Sequence, residues 1–313
     1  MKRRARDDRG AALAFVVVFM VVFLGVMALV IDWGSWFTEQ RHLQAAADAA
    51  TMAGAQDLPD TGTASSTATT YAANNVTGLN SWTPSFPNTY TIDVTLTKDS
   101  DAIFAKFLGI DSMNVNAHAR AVVGTPGDLY NVVPIAINRA AACATDSTDC
   151  FDKNKTLTFD DATTTSFNAS SWGLMDLSGS SATKTSCTGT VGESEKASWI
   201  TDTYPGKLSV NRWYAATNGQ ETSIRNAINA VIGKTLLIPV YDMADTTACQ
   251  SPAKGGYHVV GWAAIVIDMA IPNADWNPHQ KTIRMHFTQY IAHNVDSTPG
   301  LTGFGVKVIA LTE

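Results

Sequence analysis

The chain has 313 residues, 22 Lys+Arg against 28 Asp+Glu, and a formal net charge of −6. Charged residues are 16 % and apolar ones 45 %, against about 25 % charged in ordinary soluble domains. This excludes a disordered chain, which needs high charge and little apolar surface, and argues against a nucleic-acid binder, which needs a basic surface. The length suits two compact domains, or one large domain with an appendage.

The charge is unevenly placed. Within the first ten residues Lys2, Arg3, Arg4, Arg6 and Arg9 face only Asp7 and Asp8, so this stub carries +3 and the remainder −9. Residues 11–31 (AALAFVVVFMVVFLGVMALVI) then run without a charge. At 1.5 Å per residue they reach about 30 Å, the thickness of a bilayer's hydrocarbon core. The basic stub predicts an N-inside orientation with everything after Asp32 exported, and Trp33 and Trp36 fall where an aromatic belt belongs. A cleaved signal peptide has a shorter apolar region and a small-x-small site; LVIDWGSW, residues 29–36, offers none. The expectation is an uncleaved single-pass anchor.

Residues 32–57 should continue as a juxtamembrane helix, since Ala, Gln, Leu and Met favour helix and no proline precedes Pro59. Leu43, Ala46, Ala47, Ala50 and Ala53 share one stripe of small side chains. Such a stripe admits either a helical partner or the chain's own exported domain, because amphipathicity names no partner.

Arg9-Gly10, the apolar span, Ile31-Asp32, the run RHLQAAADAA at 41–50 and Ala53-Gly54-Ala55 together resemble the TadE/TadG-like family of Flp (Tad, type IVc) pilus-assembly proteins. The resemblance covers about the first 55 residues. It implies a bacterial inner-membrane protein of pilus biogenesis, in a minor-pilin or scaffold role, whose N-terminal helix meets other pilus-assembly or pilin-like proteins. Prepilin-like members carry Glu at the fifth position after the cleaved Gly. Phe15 stands there, and no acidic residue occurs in 11–31, which favours an uncleaved TadG-like member with its bulk periplasmic or at the cell surface.

Residues 58–70 (LPDTGTASSTATT) look like a joint, followed by a short helix over 68–75 and a turn-rich stretch containing Pro84 and Pro87. Residues 89–97 alternate, with Ile92, Val94 and Leu96 on one face, and predict a half-buried strand. One or two helical turns over 102–108 end at Gly109, and 113–123 alternate again, giving a small α/β subdomain over 58–126. From 127 to 313 the pattern becomes mainly β. Strands are expected at 132–137, 155–159, 172–177, 236–241, 257–269, 282–293 and 306–311, with one helix at 220–232. Pro134 and Pro239 should sit at sheet edges or bulges. The fold class expected is α+β: a membrane helix, an Ala-rich helix, and a mainly antiparallel β-rich exported domain.

Cys143, Cys150, Cys187 and Cys249 all follow the span, and an even number on the exported side predicts disulfides. Of three possible pairings, Cys143–Cys150 with Cys187–Cys249 is favoured.

Catalytic motifs are missing. Gly233-Lys234-Thr235 lacks the Gly a phosphate-binding loop needs five residues earlier, and neither GxSxG nor HExxH occurs. Asp176, Ser178 and Ser180 read DxSxS, which resembles the metal-dependent adhesion site of von Willebrand factor A domains. Three oxygen ligands at alternate positions could hold Mg²⁺. The polar, Gly/Thr-rich sequence that follows fits a strand ending in a Ser/Gly turn better than the helix that fold requires. The expected function is therefore non-enzymatic and without cofactor, a membrane-anchored pilus-assembly component. The alternative is an adhesin-type module using Asp176, Ser178 and Ser180.

Overall fold

The computed structural model describes residues 9–142, 156–160, 172–217, 222–249, 255–269, 276–277, 280–298 and 303–312. The chain is α+β with mainly antiparallel sheets, and it divides into two units: Met1–Val122 with Ala310–Glu313, and Val123–Ile309.

The first unit is built on α1, Arg9–Asp57, a single helix of 49 residues. From Leu13 to Ile31 every side chain except half-buried Ala28 is exposed. This is the stretch that is apolar all round, so it suits lipid and could not remain bare in water. Among the described residues, α1 is the one helix long and apolar enough to cross a membrane. Beyond it the same helix changes character: Leu43, Ala46, Ala47, Ala50, Thr51, Ala53 and Ala55 are buried.

The helix α2, Thr61–Asn75, packs against this buried half. It occupies most of the stretch expected to be a joint. Asp60 starts it, its carboxylate accepting hydrogen bonds from the backbone N–H of Gly62 (3.0 Å) and Thr63 (3.1 Å), and such a cap offsets the poor helix propensity of Thr, Ser and Gly. Ala64, Ala68 and Ala72, four residues apart, are its buried face. Gly54 of α1 makes the contact possible: a Cβ there would lie 2.7 Å from Ile92 Cδ1 and 2.9 Å from the Ala64 carbonyl oxygen.

Strands β1 (Ser81–Asn88), β2 (Thr91–Asp101) and β3 (Ser112–Pro126) form an antiparallel meander. β1 replaces the turn-rich stretch expected around Pro84 and Pro87; it pairs only with β2 in the meander, and an edge tolerates proline's missing N–H. β2 buries Ile92, Val94 and Leu96 as its alternation predicts, and β3 buries Val115, Ala117, Ala119, Ala121 and Val123. Asp93 and Arg120 face each other across the two strands in a bidentate pair of 2.6 and 2.7 Å. Between β2 and β3 lies a single 3-10 turn, η1 (Ala105–Leu108), closed by Gly109 at φ 83°.

The second unit contains β4 (Asp128–Leu129), β5 (Ile135–Asn138), α3 (Arg139–Ala142), β6 (Thr156–Asp160), β7 (Trp172–Ser181), α4 (Glu193–Thr201), β8 (Leu208–Ser209) and β9 (Arg212–Thr217). Then follow α5 (Thr222–Ala230), β10 (Thr235–Asp245), β11 (Gly256–Ile267), β12 (Trp276–Asn277), β13 (Gln280–Thr288), β14 (Tyr290–Ile291), β15 (Ser297–Thr298) and β16 (Val306–Thr312). The main sheet runs β10-β5-β7-β9-β11-β13-β12 with β6 on β13, and β10 also pairs along β11, so five of its strands close a ring. Among the described residues, β5 and β10 are the strands that run parallel within it. Small pairs complete the unit: β4 with β8, β14 parallel to β16, and β15 with the last residues of β3.

Both faces of this sheet are covered. Along β11, Ala263, Ile265 and Ile267 join one apolar cluster with Ile224 and Ile228 of α5. Trp262 and Ala264 join another with Met175, Tyr214 and Tyr241. This two-sided burial explains the near-continuous apolar strands. Pro239 does not mark an edge, because β10 is flanked on both sides; it lies beside the register shift at Val240/Tyr241. β9 and α4 are elements the sequence pattern does not announce. β9 is short and central, between β7 and β11, and α4 buries only Lys196, Trp199 and Ile200.

Candidate functional site

The five stripe residues of α1 are all buried, Leu43, Ala47 and Ala50 completely. They lie in the half of α1 that packs on α2 and β2, where Ala side chains permit close approach. Hydrogen bonds seal the same region. Gln44 Nε2 donates to the His118 carbonyl at 2.8 Å, and Thr51 Oγ1 to the Ala119 carbonyl at 3.4 Å. Lys98 of β2 pairs with Glu39 at 2.6 Å. Of the two readings left open for the stripe, a helical partner or the chain's own fold, the structure has it packed on the chain's own α2 and β2; a helical partner there would have to displace them.

Asp32, which in the sequence closes the span and belongs to the family-like pattern, has a structural part as well. It is 1 % exposed. Its carboxylate accepts the backbone N–H groups of Ile103 (2.8 Å) and Phe104 (3.0 Å) and also that of Ala105. The turn η1 has no side-chain cap of its own, so a carboxylate from 71 residues away supplies it.

On the outer side of this clasp, Trp33 and Phe37 are exposed, and the Arg41 guanidinium lies 4.7 Å from the Phe37 ring centre. An aromatic pair just beyond an apolar span suits the membrane interface.

The residues of DxSxS come together on a bulge in β7, where pairing with β9 shifts between Asp176 and Ser180. Asp176 is fully buried. One of its oxygens accepts from Ser178 N (2.9 Å) and Ser178 Oγ (2.5 Å), the other from Val191 N (2.9 Å). Ser180 Oγ accepts from Arg212 Nε at 3.0 Å. The oxygens are thus engaged by protein donors, and a guanidinium stands beside the position a cation would need. Among the described residues no group of three or more His, Cys, Asp or Glu side chains is placed to hold a metal ion.

Cys187 and Cys249 form a disulfide across 62 residues with Cα atoms 4.4 Å apart. Nearby, Lys184 and Asp245 form an ion pair. With Thr247, Lys184 holds the Asp245 carboxyl down to about 2. Cys143 and Cys150 lie outside the described residues. Two histidines, His258 and His286, each bond a carboxylate, Asp242 at 2.8 Å and Asp268 at 2.6 Å.

Residues 10–57, nearly coextensive with α1, match the Tad family, described as "Putative Flp pilus-assembly TadE/G-like". No curated protein and no solved structure matches the chain.

Proposed function

We propose, on the premise that this chain is TadE/TadG-like over residues 10–57, that it is a non-enzymatic, TadG-like scaffold of Flp pilus assembly, anchored in the inner membrane. Its N-terminus lies in the cytoplasm and both units are exported. The observation that carries this reading is the split character of α1. Among the described residues, 13–31 meet little protein beyond the η1 turn beside Gly25, Ala28 and Leu29, while the buried face of 43–55 packs on the chain's own α2 and β2. A subunit of a pilus shaft needs its helix free to pack against other subunits; here the outer half of α1 is already enclosed. This supports a protein that stays as an anchor and offers assembly partners the exposed face of its span.

The basic stub, whose five basic side chains precede the span, supports the N-inside orientation, and the Cys187–Cys249 disulfide suits an oxidising exported compartment. Two experiments test the proposal. Deletion of the gene should abolish Flp piliation and restoration should recover it; normal piliation in the deletion strain refutes the assembly role. Replacing residues 13–31 with an unrelated apolar helix of equal length should keep the protein in the membrane yet lose co-purification with assembly proteins. Retained co-purification would move the contact elsewhere.

A further inference from the structure

The turn clasped by Asp32 carries an apolar surface that the described residues leave largely open. Ile103, Phe104, Phe107, Ile110 and Met113 are all exposed, Phe107 to 88 %. These residues cluster within eleven positions around one tight turn, and a grouped apolar surface of this kind marks an interaction site. What it meets follows from where it is held. Phe104, Ala105 and Phe107 line a shallow groove together with Gly25, Ala28 and Leu29 of α1. Those three helix residues belong to the uncharged stretch 11–31. Gly25 lies six residues inside Ile31, about 9 Å along the helix axis toward the bilayer centre.

A side chain packed at that level beside a membrane-spanning helix is itself in the acyl region. We infer that residues 103–110 form a second membrane contact, a short finger inserted into the leaflet nearer Asp32 with Phe104 and Phe107 against the span. Lipid acyl chains are the occupant, since the surface continues that of the span itself. Interfacial insertion of this kind needs apolar tips and polar flanks. Lys106, exposed between Phe104 and Phe107, can extend its ammonium group back to the headgroups. The Asp32 clasp satisfies three backbone N–H groups of the finger, which hydrocarbon could not. The inference rests on the reading that α1 crosses a membrane.

The test uses the full chain in phosphatidylethanolamine/phosphatidylglycerol vesicles, with a nitroxide attached through Phe107→Cys or Ile110→Cys, and the signal of the unsubstituted chain subtracted. Val22→Cys in the span and Tyr71→Cys on α2 serve as references; all four positions are exposed, so the labels displace no packing. Relative collision rates with oxygen, which partitions into lipid, and with a water-soluble nickel chelate report depth. The expected result is that labels at 107 and 110 favour oxygen several-fold, as the label at 22 does, while the label at 71 favours nickel. If 22 favours oxygen but 107 and 110 follow 71, the finger is refuted and the anchor stands. If 22 itself follows 71, the anchor reading fails and the finger with it.

Discussion

The two halves of α1 share one backbone and face opposite environments. Residues 13–31 are mostly large, apolar and exposed, touching the η1 turn at Gly25, Ala28 and Leu29, whereas the buried positions of 43–55 are mostly Ala and Gly. For the fold itself the first half needs only apolar character, so exchange among Val, Phe, Leu and Met there should leave the packing of the first unit intact. The second half needs shape, because α2 and β2 approach it closely at Ala and Gly positions. A helix can therefore be continuous in geometry and discontinuous in what each position tolerates.

Substitutions should expose this difference most strongly where charge is introduced. Ala50→Asp places an unpaired carboxylate at a fully buried position and should destabilise the first unit by on the order of 4 kcal/mol. Limited proteolysis of α2 and the β1–β3 meander should detect the loss, while Val22→Leu leaves the cleavage pattern unchanged. Resistance of the Ala50→Asp protein would mean that the packed half is looser than its burial indicates.

Gly54→Ala comes next. Its Cβ would meet the backbone oxygen of Ala64 as well as Ile92 Cδ1, and backbone does not yield readily, so a loss of roughly 1–3 kcal/mol is expected in denaturant unfolding. Gly25→Ala, where a Cβ meets nothing within 4 Å, should be neutral in the same measurement. Equal effects at the two glycines would erase the distinction between the halves.

Asp32 sits where the halves join. Asp32→Ala should speed amide exchange at Ile103, Phe104 and Ala105 on the order of tenfold, with the stripe's amides unaffected. Exchange that rises along the whole of α1 would show one cooperative helix rather than two regimes.

The smallest effect is acid dependence in the packed half. The Arg120 guanidinium beside Asp93 holds its carboxyl below the usual carboxylate range. A carboxyl depressed in the folded state contributes stability above its unfolded value of about 3.9, and loses it as pH falls toward the folded value. Stability of the first unit should thus decline below about pH 4, and Asp93→Asn should flatten that decline. An unchanged slope would assign acid sensitivity to other groups.

How much of this was legible in the sequence depends on the range of the interaction. The span, the stripe, and the strands β2 and β3 are written in local periodicity, and the pattern from Arg9 to Ala55 carries the family. The end of α2 reads as a helix over 68–75, but its first part reads as a joint because Thr, Ser and Gly dominate it; the evidence for the longer helix lies in Asp60 and in three alanines spaced by four. β1 was hidden by its prolines, which only an edge position accommodates. The clasp at Asp32 joins residues 71 positions apart, and nothing local reports such a pairing. DxSxS reads mainly as a strand ending in a Ser/Gly turn, with a metal site as the alternative; only the fold shows that Val191 and Arg212 donate to its oxygens.

From Asp32 to Leu43 the helix advances eleven positions without a break, about 16 Å, fixed at one end by η1, at Glu39 by Lys98, and at the other end by α2 and β2. This segment works as a ruler. Adding one residue would lengthen it by about 1.5 Å and turn everything beyond by about 100°, so the two fixings could not both be met. Apart from Glu39, sequence in this stretch has more freedom than its length, because a one-residue insertion would break the phase between the η1 clasp and the α2 and β2 contacts.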